Sequence, residues 1–376
     1  HRYLYWWAFK FPTFTVDDTD RVLRCKCANT KCFWYAAIVC RLFIILLIIV
    51  TPFIFYVSKI AETLQHPNYY NKMVDWSRAN QSSPYPLCES LNINGIDTLD
   101  LAFLTSAIYY PSDLPKQLST WFDSNVDANG AASNWTEIYT YDDANEYTST
   151  YAHIGNAERN TEIILVRGTN GQDDAIQDLS LWSEIGFVQV VSWVIPLTIM
   201  TSTDFLRNYV YFASIPEGLI EPSWKHRYYD AVYQYVRTNL SEALRDEDRT
   251  IIILGHSLGG GIAQIVAAKL LLNEEANQVL SFGVASPGTK YSSKKFGFDV
   301  NSLHETSISV LPERDLVSQI DVHGGEIQII KCDGEHALDC HSVETHFCEI
   351  SENCESALDN KRTARREFIE CVCGTK

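Results

Sequence analysis

The chain has 376 residues, of which 46% are hydrophobic, and its formal net charge is −17. This length allows one large catalytic domain with an appendage, and the acidic balance argues against nucleic acid as a partner. The 11 cysteines form an early group of four and a later group of seven that is crowded toward the C-terminus. The later group favours disulfides in an oxidising compartment, although its odd number leaves at least one thiol unexplained.

The first predicted element is a transmembrane helix over residues 33–58, whose only charged residue is Arg41. Its length is sufficient to cross a bilayer. Residues 1–41 contain seven Lys or Arg, whereas residues 59–80 contain three. The positive-inside rule therefore predicts a cytosolic N-terminal tail, 1–32, with the rest of the chain in the lumen or outside the cell. A buried core helix is the alternative.

A stalk over residues 59–95 is predicted to join this helix to a catalytic domain over residues 96–376. Glycosylation sequons begin at Asn80, Asn134 and Asn239. They agree with a lumenal or extracellular location, because this modification is added to surface loops of secreted chains.

The catalytic domain alternates predicted helices with predicted strands, except that residues 123–146 are polar and contain the turn signal Asn129-Gly130. Short aliphatic runs predict the strands, and longer runs with helical periodicity or without Pro and Gly predict the helices. The strands are 162–166, 251–254, 279–283, 307–311 and 326–330, and the helices are 97–110, 225–244 and 262–272. This alternation predicts an α/β fold with a mostly parallel central sheet that helices cover on both faces.

The segment Gly255-His256-Ser257-Leu258-Gly259 fits the pattern G-x-S-x-G between a predicted strand and a predicted helix. Such a strand, sharp turn and helix form a nucleophile elbow, in which a strained serine exposes its oxygen at a helix N-terminus. Neighbours two residues away must then be nearly free of side chains, and Gly255 and Gly259 meet this need. The motif alone is weak and also occurs in ordinary loops, so the prediction depends on its flanks.

A serine nucleophile needs a base and an orienting carboxylate, and in α/β-hydrolases these follow in the order Ser, Asp or Glu, His. Asp315 lies four residues beyond Leu311, where a predicted strand ends, and is the first candidate for the acid. Glu313 is its competitor. An exposed loop carboxylate without a catalytic role is the alternative for Asp315.

Four histidines follow these carboxylates: His323, His336, His341 and His346. His323 comes too soon after the acid to serve easily as the base. His341 directly follows Cys340, and an expected disulfide between Cys340 and Cys332 would fix the loop that carries it. His341 is therefore the predicted base, with His346, about one helical turn later, as the second candidate.

Two backbone N–H groups are expected to form the oxyanion hole. One belongs to Leu258, directly after the nucleophile. The other is assigned to Thr169, which follows the predicted strand 162–166 and whose hydroxyl adds a further donor.

These segments resemble, in order and approximate spacing, the motifs of class 3 (fungal-type) triacylglycerol lipases. The resemblance covers roughly residues 96–355. The motifs that carry it are Val166-Arg167-Gly168-Thr169, Gln177-Asp178-Leu179, Lys225-His226-Arg227-Tyr228-Tyr229-Asp230-Ala231, Gly255-His256-Ser257-Leu258-Gly259-Gly260, Ser281-Phe282-Gly283 with Ser286-Pro287, Asp315, and Cys340-His341-Ser342-Val343-Glu344-Thr345.

The resemblance implies an α/β-hydrolase fold and assigns the site as a whole. According to the resemblance, the triad is Ser257, Asp315 and His341, and the oxyanion hole is Thr169 with Leu258. His323 matches a structural His-Gly position of the family. The family's secreted members often tie the N-terminal helix to the C-terminus, which implies a disulfide from Cys88 to Cys371 or Cys373.

The chain departs from the family at Leu316, where a Pro commonly follows the catalytic Asp, and in a longer insertion over about 181–224. Within the insertion, residues 185–203 carry no charge and are long enough to cross a bilayer. A single crossing there would separate Thr169 from Ser257, which must face one oxyanion. The insertion is therefore predicted to be an apolar lid or re-entrant element at the bilayer. A helix within an enlarged core is the alternative.

Together these features predict a membrane-anchored serine lipase that hydrolyses acyl esters of glycerolipids through an acyl-enzyme, without a metal or cofactor. The expected partners are a lipid ester substrate and the bilayer. Two alternatives stay open. One is a catalytically silent lipase-fold subunit of a membrane assembly, and the other is an acyltransferase that uses the same triad.

Overall fold

The central sheet of the computed structural model has seven strands that lie side by side in chain order. The structure describes residues 84–123, 135–142, 149–168, 206–211, 228–273, 278–334, 339–354 and 363–374. The sheet strands are β3 (Thr136–Tyr141), β4 (Tyr151–Asn156), β5 (Thr161–Val166), β6 (Thr250–His256), β7 (Val279–Val284), β8 (Ser307–Pro312) and β9 (Glu326–Ile330), and a separate hairpin contains β1 (Asn92–Ile93) and β2 (Ile96–Asp97). β3, β4 and β5 pair antiparallel, whereas β5 to β9 pair parallel, so the predicted mostly parallel sheet is confirmed.

Helices surround the sheet along the described part of the chain. The α-helices are α1 (Pro86–Ser90), α2 (Thr98–Ala107), α3 (Leu114–Leu118), α4 (Tyr228–Asn239), α5 (Ser241–Arg245), α6 (Leu258–Leu272), α7 (Ser293–Phe296), α8 (Ser302–Thr306), α9 (Val343–Cys354) and α10 (Thr363–Cys373). Short 3₁₀ turns cover Pro111–Asp113, Val317–Gln319 and Asp339–His341, a π-helical turn covers Ser119–Asp123, and residues 206–211 are also helical.

Strand β6 shows why the parallel strands are continuous apolar runs in the sequence. All seven of its residues are buried. Successive side chains point to opposite faces, and both faces carry helices. Ile252 and Leu254 join a core that includes residues of α2 and α9, whereas Ile251 and Ile253 join a second core with residues of α4 and α6.

The antiparallel edge of the sheet departs from the sequence prediction. β3 lies within the polar segment 123–146, and β4 follows it without having been predicted. β3 forms the edge and pairs only with β4, so several of its side chains face solvent, among them those of Ile138 and Tyr139. A half-exposed edge strand has no continuous apolar run. β3 instead combines β-branched residues and tyrosines, which favour strands, with Glu137 and without a separate apolar face.

The helix boundaries also differ in detail. The helix predicted over 225–244 is two helices, α4 and α5, separated at Leu240. The predicted helix 97–110 ends at Ala107, and α6 begins at Leu258, four residues before the predicted start. The transmembrane prediction 33–58, the tail 1–32, most of the stalk and most of the insertion 181–224 lie outside the described residues. Among the residues that are described, no helix is long and apolar enough to cross a bilayer.

Three disulfides join the described cysteines. Cys332 pairs with Cys340, as predicted. The implied partner of Cys88 is wrong, because Cys88 pairs with Cys354 at the end of α9, and Cys373 pairs with Cys348. Cys88 and Cys354 are both buried where α1 packs against α9. Cys371 on α10 is exposed and has no disulfide partner within the described chain.

Candidate active site

The turn between β6 and α6 has the backbone of a nucleophile elbow. Ser257 has φ +55° and ψ −129°, a conformation that side-chain-bearing residues rarely adopt. A Cβ on Gly255 would lie 2.5 Å from the Val166 carbonyl oxygen, and one on Gly259 would lie 2.2 Å from the same atom. The predicted need for side-chain-free neighbours is therefore confirmed, and its physical cause is the close approach of β5.

The three residues predicted as the triad lie in one hydrogen-bonded line. Nε2 of His341 is 2.8 Å from Oγ of Ser257, and its Nδ1 is 3.0 Å from Oδ1 of Asp315. Because an ionised carboxylate only accepts, Nδ1 carries the proton and Nε2 is left to accept from the serine hydroxyl. The exposed fractions are 3% for Ser257, 7% for His341 and 1% for Asp315. This is the arrangement that activates a serine for nucleophilic attack.

The Asp315 carboxylate is also held, at both of its oxygens, by the 3₁₀ turn that follows it. The backbone N–H of Val317 donates to Oδ1 at 3.0 Å, and the hydroxyl of Ser318 donates to Oδ2 at 2.6 Å. His323 supports this turn, because its Nε2 donates to the Ser318 carbonyl at 2.9 Å. The competing acid, Glu313, is exposed, and its backbone N–H pairs with β9.

The other histidine candidates do not reach the serine. His346 lies on α9, where its Nε2 donates to the Cys340 carbonyl at 2.9 Å, while Nδ1 has no hydrogen-bond partner among the described residues. Burial lowers the pKa of His346 to about 4. Burial also lowers the pKa of His323 to about 4. Both rings are therefore neutral at pH 7. His336 lies outside the described residues.

Sequence reasoning missed a contact between Tyr109 and His256. The Tyr109 hydroxyl is 2.7 Å from Nδ1 of His256, and it accepts a hydrogen bond from the Gly168 backbone. The hydroxyl proton is thereby directed to Nδ1. Burial lowers the pKa of His256 well below its usual value, and the nearby His341 and His346 act in the same direction. No sequence signal joins Tyr109 to a histidine so far along the chain.

The rings of His341 and His346 lie 4.9 and 5.4 Å from the ring of His256, centroid to centroid. Their proximity does not create a metal site. Within the described residues, no group of three His, Cys, Asp or Glu side chains is arranged to hold a metal ion. The cluster instead places the neutral ring of His256 between the rings of His341 and His346, in contact with the predicted base.

Leu258, which is predicted to supply one oxyanion donor, directly follows the serine. Leu258 is the first residue of α6, so its N–H has no acceptor within the helix. Thr169 lies outside the described residues. The residue before it, Gly168, approaches the elbow so closely that a Cβ there would be 3.1 Å from Cβ of Ser257. The end of β5 thus borders the serine.

The chain is similar to several solved structures and, over part of its length, to one family model. No curated protein sequence matches the chain. Among solved structures, the lipase from Rhizopus microsporus var. chinensis is 15% identical, with 62% of this chain and 71% of that chain covered and a TM-score of 0.35. The Rhizomucor miehei lipase propeptide complex is 17% identical, with 71% and 84% covered and a TM-score of 0.39.

The family model for lipase (class 3) matches residues 163–323. This stretch begins in β5, contains the elbow with Ser257, and extends through Asp315 to His323. The parallel sheet, the elbow and the order Ser, Asp, His along the chain are those of an α/β-hydrolase. Residues 163–323 are therefore similar to the class 3 lipase family.

Proposed function

We propose that the protein is a membrane-anchored serine lipase that hydrolyses acyl esters of glycerolipids through an acyl-enzyme. The observation that supports this most strongly is the hydrogen-bonded line from Ser257 through His341 to Asp315 at the end of β6. A strained serine at a helix N-terminus, bonded to a histidine that a buried carboxylate orients, is suited to acyl transfer.

In the first half of the reaction, Oγ of Ser257 attacks the ester carbonyl while its proton moves to Nε2 of His341. Asp315 stabilises the imidazolium that forms and does not itself take the proton. The carbonyl oxygen becomes an oxyanion facing the Leu258 N–H, and we assign the second donor to Thr169. The tetrahedral intermediate then collapses, and His341 gives its proton to the leaving alcohol oxygen. The products are free alcohol and acylated Ser257.

In the second half, water replaces the alcohol. His341 takes a proton from water as the water oxygen attacks the acyl carbonyl, and it returns that proton to Ser257 as the serine ester breaks. A fatty acid leaves, and the enzyme is regenerated. An alcohol in place of water would give a new ester by the same steps, which is the acyltransferase alternative.

Exposed apolar side chains next to site residues support an apolar substrate. Tyr110, beside Tyr109, is 55% exposed, and Leu316, beside Asp315, is 44% exposed. We infer that they contribute to a surface for acyl chains. We further propose that residues 33–58 anchor the enzyme with its N-terminus in the cytosol, and that the insertion 181–224 acts as a lid at the bilayer.

The function is tested by ester hydrolysis with the purified chain and with Ser257→Ala. We expect the parent to release the fluorophore from a short-chain ester and to bind one equivalent of a fluorophosphonate, and Ser257→Ala to do neither. Absence of both in the parent would overturn the proposal in favour of a silent subunit. New ester in preference to fatty acid, formed when an alcohol is added, would instead establish an acyltransferase.

A separate experiment tests the anchor. The full chain and a variant that lacks residues 1–58 are expressed in a eukaryotic cell, and the membranes are washed with alkaline carbonate. We expect the full chain to stay in the membrane pellet, with its catalytic domain protected from added protease in intact microsomes. Release of the full chain by carbonate, or digestion of the domain outside the vesicle, would contradict the proposed anchor or its orientation.

A further inference from the structure

We propose that Arg314 is a positioning residue that holds the loop carrying His341 in register with Asp315. The inference rests on the proposed function, because it assigns Arg314 a role in the same triad. Arg314 does not touch the serine, and it acts through the two residues on which serine activation depends.

The side chain of Arg314 binds the backbone of the loop that leads to His341. Its Nη2 donates to the carbonyl oxygen of Cys332 at 2.7 Å and to that of Gly334, and it lies 3.9 Å from Sγ of Cys340. All three contacts are with residues on the segment after β9. Arg314 itself follows β8 and directly precedes Asp315.

The Cys332–Cys340 disulfide extends this contact to His341. The two cysteines are separated by 8 positions in the sequence, and His341 directly follows the second one. Anchoring the start of the loop therefore also fixes its end. The acid and the base are then linked in two ways: by the 3.0 Å hydrogen bond between them, and through the Arg314 guanidinium and the disulfide.

The backbone at Arg314 is a second, independent observation. Its φ is +64°, in the left-handed region that a non-glycine residue rarely adopts because its Cβ crowds the backbone there. Such strain persists where surrounding contacts enforce it, and it is concentrated at functional sites.

An arginine suits this task because its partners are two carbonyl oxygens that one planar group can reach together. Among the described residues, no carboxylate forms an ion pair with Arg314. Its bonds therefore serve to hold backbone rather than to neutralise charge.

The test compares Arg314→Gln and Arg314→Lys with Arg237→Gln, a matched change at an exposed arginine on α4. We expect Arg314→Gln to lower kcat by about 10- to 100-fold with little change in KM, because small misplacements of catalytic groups have effects of this size. Arg314→Lys should recover part of the loss, since an ammonium can still donate to carbonyls. Arg237→Gln should match the parent.

Fluorophosphonate labelling separates positioning from unfolding. A positioning role predicts slower labelling of Ser257 in Arg314→Gln with one equivalent still bound at the end. A fall in the number of equivalents, with an unchanged rate for the remaining fraction, would mean that the variant merely unfolds and would overturn the proposal. So would a kcat within twofold of the parent.

A spectroscopic readout keeps the proposal testable even if the parent proves inactive. The Nδ1–H proton of His341 reports its hydrogen bond to Asp315 in the NMR spectrum, whether or not hydrolysis occurs. We expect this signal in the parent and in Arg237→Gln, and we expect it to broaden or disappear in Arg314→Gln. Its persistence in Arg314→Gln would overturn the inference, whereas loss of hydrolysis in the parent would overturn only the proposed function.

Discussion

The ring of His256 lies 4.9 Å from the ring of His341, centroid to centroid and tilted by 37°, so the residue just before the serine contacts the base that serves the serine. Tyr109 holds the far side of the His256 ring at Nδ1. The elbow therefore supplies more than the nucleophile, because it also places a neutral ring against His341.

Replacing Tyr109 with Phe tests this contact. The change leaves Nδ1 of the buried His256 without its donor, and we expect a loss of about 1–3 kcal/mol in unfolding free energy. We also expect a several-fold fall in kcat at an unchanged KM. Chemical denaturation and steady-state kinetics measure the two effects. Tyr110→Phe, at an exposed neighbour, is the control, and equal values for both variants would contradict the role of the hydroxyl.

The assignment of the base is tested by two alanine variants. His341→Ala removes the proton acceptor 2.8 Å from Ser257 and should reduce kcat by at least about 10³-fold. His346→Ala should keep most of the activity, because its ring bonds the Cys340 carbonyl and not the serine. Initial rates on a soluble ester decide between them, and the reverse pattern would move the base to His346.

Buried neutral histidines make stability depend on pH. The folded pKa of His346 is about 4 and the unfolded value about 6.5, so its contribution is fully present above pH 6.5 and is lost as pH falls toward 4. We expect His346→Gln to flatten the dependence of unfolding free energy by about 1.4 kcal/mol per pH unit within this window. Denaturant titrations at pH 4.5, 5.25 and 6 measure this slope.

The comparison between parent and variant is needed because Asp97 changes the pH dependence of the unfolding free energy in the opposite direction. Burial raises the pKa of Asp97 to about 6, with Asp100 adding to the shift and Arg365 opposing it. That carboxyl favours the folded state below pH 3.8, and this contribution is lost as pH rises through 6. It is present in both proteins and cancels in their difference. Identical slopes would show that His346 is not buried and neutral.

Gly259→Ala is expected to destabilise the elbow strongly. Its new Cβ would lie 2.2 Å from the Val166 carbonyl, so β5 and α6 would have to separate, and we expect a loss of at least about 3 kcal/mol. Gly297→Ala is the comparison, since its φ is +77° but its Cβ would meet nothing closer than 3.4 Å. Backbone strain alone should cost it about 1 kcal/mol. If thermal unfolding shows similar losses of unfolding free energy for the two variants, the steric explanation is refuted.

The sequence predicts best what depends on one stretch of chain. β6 can be predicted because both of its faces are buried, which gives a continuous apolar run. The elbow can be predicted because its strand, glycines and helix are consecutive in the sequence. β3 is not visible as a strand, because an edge strand with exposed Ile138 and Tyr139 keeps a mixed composition. The order of acid and base could be inferred only because α/β-hydrolases share it.

Pairings across the fold were harder to predict. Cys88 bonds to Cys354 rather than to the later cysteines, because packing of α1 against α9 decides which thiols meet. Tyr109 contacts His256 although the two are 147 residues apart. Neither distance in the chain nor residue type indicates such contacts. They follow from tertiary packing, in which α2 lies against β6.

The Cys88–Cys354 bond spans 266 residues and thereby encloses all seven strands of the main sheet in one covalent ring. The insertion between β5 and β6 lies inside that ring. A protease that cuts once within residues 181–224 would leave two fragments, one with β3 to β5 and one with β6 to β9, still joined through sulfur. The nicked protein would migrate as one species on a non-reducing gel and as two after reduction, with its nucleophile and its β5 edge still on one molecule.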